Sequence, residues 1–137
     1  MVEEIKHKGE VLAIIISHQY QKKGIDFFTP GDFSQQLGYI NYGAGHVIDP
    51  HVHNPVKREV TMTQEVLVLR KGKLRVDFYD DHQTYLESRE LAAGDVILLA
   101  KGGHGFEVLE EVEMFEIKQG PYAGDADKTR FKGKAQP

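Results

Sequence analysis

A chain of 137 residues is long enough for one hydrophobic core and short for two. With 40% hydrophobic and 28% charged residues it falls among folded globular chains, and a net charge of -4 leaves no basic excess for a nucleic-acid backbone. The lack of cysteine removes disulfides, thiolate nucleophiles and thiolate-bound metals, so any metal would rest on histidine and carboxylate.

Short apolar runs broken by Gly, Pro, Asp and Asn recur along the chain, and no stretch keeps the apolar spacing of an amphipathic helix. The pattern predicts an all-β fold. Val11 to Ile16, VLAIII, predicts a strand covered on both faces. It is too short to span a bilayer, so no membrane association and a cytoplasmic location are expected. Left as an exposed apolar edge, this strand would pair between two subunits, which predicts a homodimer.

After a turn in FFTPGDF, residues 36–42 alternate in polarity and predict a second strand, and the GAG at 43–45 predicts a bend. His51 to His53 predicts a short extended piece closed by Asn54-Pro55. Glu65 to Leu69 and Leu74 to Tyr79 predict a hairpin turned at RKGK, with Gly72 as its permissive residue. YDDHQ at 79–83 predicts the next turn. Thr84 to Leu91, Asp95 to Ala100, Gly105 to Leu109 and Val112 to Lys118 follow as strands separated by AAGD, KGGHG and EEVE. Such a series suits a closed barrel or a two-sheet jelly roll. From Gly120 the alternation stops, and the last half-dozen residues are expected to be mobile.

His51 and His53 lie two apart, so on a strand both rings leave the same face from Cα atoms about 6.5 Å apart. Two imidazoles so placed can share a metal at about 2.1 Å each. Further residues fall into register with them. Gly45, His51, His53, Glu65 and Gly72 follow the order glycine, five residues, H-x-H, a gap, glutamate, six residues, glycine. Gly94, Gly102 and His104 supply a second group in GDVILLAKGGHGF. These two groups resemble the motifs of the cupin family.

The resemblance covers roughly residues 36–118. It implies a double-stranded β-helix, a small jelly-roll barrel, as a single domain over 1–137 with an extended tail from about 120 to 137. It also implies one divalent transition metal ion, Fe, Mn, Ni, Cu or Zn, held by His51, His53, Glu65 and His104. This chain departs from the family pattern in a longer gap, NPVKREVTMTQ, between His53 and Glu65, and in Ala100 where a proline is usual. Glu59 in that gap is a competing carboxylate. Glu65 is preferred because it stands six residues before Gly72 and begins an apolar strand.

Lys57 and Arg58, side by side in the gap, have two readings: cations that meet a carboxylate or phosphate of a substrate, and a solvated loop. Tyr42 is likewise read as lining a pocket or packing a core, and His46 as a surface or hydrogen-bonded histidine. No residue stands out as a catalytic acid or base. The function expected is that of a metal-dependent enzyme on a small sugar-derived or organic-acid substrate, of isomerase or dioxygenase type. EIKQGPYAG at 116–124 looks like the end of small cupins that accompany polysaccharide biosynthesis. The alternative is a non-catalytic module that binds a sugar or small ligand, or that partners a biosynthetic enzyme.

Overall fold

A computed structural model describes residues 1–133. It is all-β, with one short 3-10 turn at Gly124–Asp127. The strands are β1 (Val2–His7), β2 (Glu10–Ile16), β3 (Gly24–Phe27), β4 (Gly38–Asn41), β5 (Glu65–Tyr79), β6 (Tyr85–Ala92), β7 (Val96–Leu99) and β8 (Gly103–Lys118). Six of them form one antiparallel sheet in the order β1-β2-β7-β5-β6, with β8 along the other side of β5, and β3 and β4 make a separate hairpin. The large sheet is curled into a half-barrel.

Residues paired across a ladder share a face, and this sorts the side chains. Ile5, Ala13, Ile15, Leu67, Leu69, Leu74, Val76, Phe78, Leu91, Ile97 and Leu99 turn inward and make the main core. Val66, Leu98 and Ala100 turn outward, where Phe33 and Leu37 from the loop between β3 and β4 pack over them. Burial on both faces explains why the apolar runs of β2 and β7 are unbroken.

The RKGK segment is not a hairpin turn. Residues 65–79 form one strand of 15 residues, and Gly105–Leu109 and Val112–Lys118 likewise join into one strand of 16, with EEVE inside it. The two strands bend together through register shifts between Leu69 and Leu74. Gly72 takes φ +90° at this bulge, where a Cβ would stand 2.0 Å from the Glu111 carbonyl oxygen. The charges on both sides pair across the ladder: Arg70 with Glu113 at 2.6 Å, Lys71 with Glu111 at 2.8 Å and Arg75 with Glu107 at 2.7 Å. Glycine and charge thus mark a bulge here, which uses the same local chemistry as a turn.

Two further expectations are corrected. β2 lies between β1 and β7, so it is no exposed edge, because β1, which the alternation did not reveal, covers it. Residues 51–53 form no strand; every residue from 42 to 62 is exposed and outside regular structure. The large sheet stops at a half-barrel, leaving Phe106, Val108 and Met114 of β8 exposed on the face that they share with Val76, Leu74 and Leu69. The expected mobility of the last half-dozen residues concerns a stretch that lies mostly outside the described residues. Among the described residues, no helix is long and apolar enough to cross a membrane.

Candidate functional site

A flat strand as long as β5 would span about 50 Å. Curled, the β5–β8 ribbon brings its two ends face to face. Glu65, the first residue of β5, is paired with Lys118 and with Leu99, so its side chain takes the inner face. His104 is paired with Phe78 near the other end and takes the same face. Across the interior, His104 Nε2 lies 2.8 Å from Glu65 Oε1. An ionised carboxylate can only accept, so the imidazole Nε2 carries the proton and donates it.

This pair lines a cavity of about 750 Å³ at the mouth of the half-barrel. The size suits a small organic molecule. Its walls come from three parts of the chain. Val60 to Thr63 approach as the exposed segment enters β5, Gly102 to Gly105 surround His104, and residues 118–131 fold back across the mouth. The fold-back is held by Phe131, edge-on to Tyr79 with ring centroids 5.0 Å apart, and by the Thr63 hydroxyl donating to Asp127. Lys118 Nζ lies 3.8 Å from Asp127 as well. Tyr122, in the same stretch, is exposed.

Glu65 is buried, yet the hydrogen bond from His104 holds its carboxyl below the ordinary carboxylate range. Burial opposes this, while a hydrogen bond with Glu116 and the charge of Lys118 support it. Glu116 moves the opposite way, raised first by its hydrogen bond with Glu65. The opposite directions share one cause, the close approach of the two carboxyl groups, which disfavours ionising both together. The His104 imidazole and the Glu65 carboxylate thus stand at the mouth, with the Glu116 carboxyl group beside Glu65 on the same face of the ribbon.

The two histidines of the H-x-H pair form a second small cluster. Their ring centroids are 5.3 Å apart with planes at 74°. His51 Nδ1 lies 2.9 Å from the Asp49 carbonyl oxygen. A carbonyl cannot donate, so Nδ1 carries the proton and the Nε2 lone pair of His51 is left for a ligand. Both residues are exposed. Among the described residues, no three His, Asp or Glu side chains converge into a group that could hold a metal ion. The structure thus joins Glu65 to His104 and His51 to His53, as two pairs.

The donor chemistry of the pairs fits a divalent ion. Two ligand atoms in adjacent positions around an ion at about 2.1 Å stand about 3 Å apart, close to the spacing of His104 Nε2 and Glu65 Oε1. The backbone-anchored tautomer of His51 is the arrangement usual in a metal-ligating histidine.

Lys57 and Arg58 lie in the exposed segment and are not among the cavity-lining residues, nor is Tyr42, which stacks on His46 with centroids 3.7 Å apart. His18 bonds Asp95 through its backbone nitrogen at 2.7 Å and its Nδ1 at 2.8 Å. The residues that sequence reasoning missed are Glu116, Lys118 and the cavity-facing part of the tail. A signal for the first two was present in MFEIK, where charges two apart interrupt an apolar strand and so share one face.

Compared with known proteins, the chain matches no family model, no curated protein and no solved structure.

Proposed function

We propose that the protein is a small single-domain metal-binding cupin, in which Glu65 and His104 hold one divalent transition metal ion together with His51 and His53. The observation that carries this reading is the meeting of Glu65 and His104 inside the mouth cavity, from opposite ends of one curled ribbon. Two anchored donors are in place on rigid strands. The other two sit on an exposed segment whose final residues, Val60 to Thr63, already line the same cavity.

Closure of that segment over the half-barrel would complete a jelly-roll barrel. Apolar side chains are exposed on both partners, Val47, Ile48, Val52 and Val56 on the segment and Phe106, Val108 and Met114 on β8. Burying them together removes apolar surface from water at about 25 cal/mol per Å².

The substrate is a small oxygen-rich molecule, sugar-derived or an organic acid, and the reaction is of isomerase or dioxygenase type. The bound ion would supply Lewis acidity or a site for oxygen. The chain's own part is to enclose the substrate between the β8 start and the folded-back tail and to present the His104–Glu65 pair to it.

Elemental analysis of protein purified without chelator tests this reading, followed by calorimetric titration of metal-stripped protein with manganese and zinc. A single ion per chain is expected, with affinity lowered by roughly tenfold or more in both His51→Ala and His104→Ala. Affinity unchanged in both variants would sink it.

A second reading is favoured by the hydrogen-bonded set itself. His104, Glu65 and Glu116 already form the histidine-carboxylate arrangement of a metal-free proton-transfer enzyme such as a sugar epimerase. Turnover that survives metal stripping but is lost in His104→Ala would favour it.

A further inference from the structure

The folded-back tail brings cations to the mouth cavity, and their partners differ. Lys118 is engaged by Asp127 and lies in the field of Glu65 and Glu116. Lys128 acts on Glu116. Arg130 lines the same cavity, and among the described residues it has neither an ion-pair nor a hydrogen-bond partner. Arg130 is exposed, and the chain beside it is tied to the half-barrel where Phe131 stands edge-on to Tyr79. A guanidinium presents five donors in a planar fork and cannot be deprotonated, so Arg130 offers the cavity an unengaged set of donors whose geometry suits an oxyanion. Among the lining residues, three fixed cations, Lys118, Lys128 and Arg130, stand against two carboxylates, Glu65 and Asp127.

We propose that Arg130 is a specificity-determining residue that binds a carboxylate or phosphate group of the ligand, so that the cavity takes small oxyanion-bearing molecules. This deepens the proposed function and rests on the mouth cavity being the ligand site. The anion would be held at the tail wall, leaving the hydroxyl or carbonyl groups of the same molecule toward Glu65 and His104. It also assigns the recognition cation to the tail, away from Lys57 and Arg58 in the exposed segment.

The test uses protein stripped of metal on a chelating resin, titrated separately with inorganic phosphate and with malonate, against sodium chloride at matched ionic strength. Backbone amide shifts of Gly102, Gly103 and Thr129 are followed by NMR. Saturable shifts with at least one of the two anions are expected, and whichever binds identifies phosphate or carboxylate as the group recognised. In Arg130→Gln the binding is expected to weaken by roughly tenfold or more, whereas the double variant Lys57→Gln/Arg58→Gln is expected to titrate like the wild type. Shifts that never saturate with either anion, or equal binding in Arg130→Gln, overturn the proposal. Because no metal is needed for this titration, a protein that binds the anions but no metal refutes only the metal site. One that binds metal but neither anion refutes only the role of Arg130.

Discussion

His104 Nε2 lies 2.8 Å from Glu65 Oε1, although the strand ladder pairs His104 with Phe78 and Glu65 with Lys118 at the two ends of β5. The contact exists only because the ribbon curls, so it reports on the curl. Removing the imidazole leaves a buried carboxylate without its main donor, and His104→Ala is expected to lower stability by about 1–3 kcal/mol at neutral pH. Glu65 is depressed in the folded state, so its contribution is complete above its unfolded pKa and is lost as pH falls through the lower folded value. The variant should therefore be less sensitive to acid over that window. Chemical denaturation between neutral pH and pH about 3 checks it, and superimposable curves for variant and wild type would show that the pair has no role in closure.

Gly72 sits where the ribbon bends, at positive φ and with the Glu111 carbonyl against its Cα. Gly72→Ala is expected to cost about 2–4 kcal/mol, from backbone strain and a clash that no flexible side chain can relieve. Gly9 provides the control, since its φ is +79° but nothing lies within 4 Å of a Cβ there. Gly9→Ala should cost only about 1–2 kcal/mol. Equal losses would mean that crowding at the bulge is unimportant.

Asp77 joins three strands. Its carboxylate accepts from Arg75 at 2.9 Å and from Ser88 of β6 at 2.5 Å, and Arg75 also reaches Glu107 of β8 at 2.7 Å. Burial opposes ionisation of Asp77, but the hydrogen bonds from Arg75 and Ser88 outweigh it and lower its pKa. Its stabilisation is therefore full above the ordinary value of 3.8 and disappears as pH falls through the depressed one. Asp77→Asn is expected to be less stable by about 1–3 kcal/mol near pH 7, with the difference shrinking in acid. A difference independent of pH would assign the loss to packing instead.

The exposed segment contains two trypsin sites, Lys57 and Arg58. If His51 and His53 join Glu65 and His104 around an ion, manganese should slow cleavage at these sites by roughly tenfold or more. The effect should vanish in His51→Ala. Cleavage at one rate with and without metal would show that the segment is not drawn into the site.

The all-β class was legible because alternation and Gly-Pro punctuation report local backbone preference, and VLAIII proved to be a strand buried on both faces. The joined strands β5 and β8 were not legible. RKGK and EEVE have the composition of turns, and only the pairing of Arg70, Lys71 and Arg75 with Glu113, Glu111 and Glu107 shows that they are two sides of one bulge. Long-range register carries no local signal. For the same reason, the sequence placed Glu65 and His104 in one site by motif, but could not foresee Glu116 beside Glu65 or Arg130 lining the cavity. The H-x-H spacing was read as a strand, yet the residues around it are exposed and unpaired with the sheet.

The cavity's outer wall belongs to the folded-back tail, which is tied to the half-barrel through Phe131, Asp127 and Lys118 while the core lies elsewhere. Ligand preference and folding are thereby written in separate parts of the chain. Substitutions at residues 128–130 can retune what enters without disturbing the inward-facing strands, which makes this short stretch the natural place to randomise when new ligands are sought.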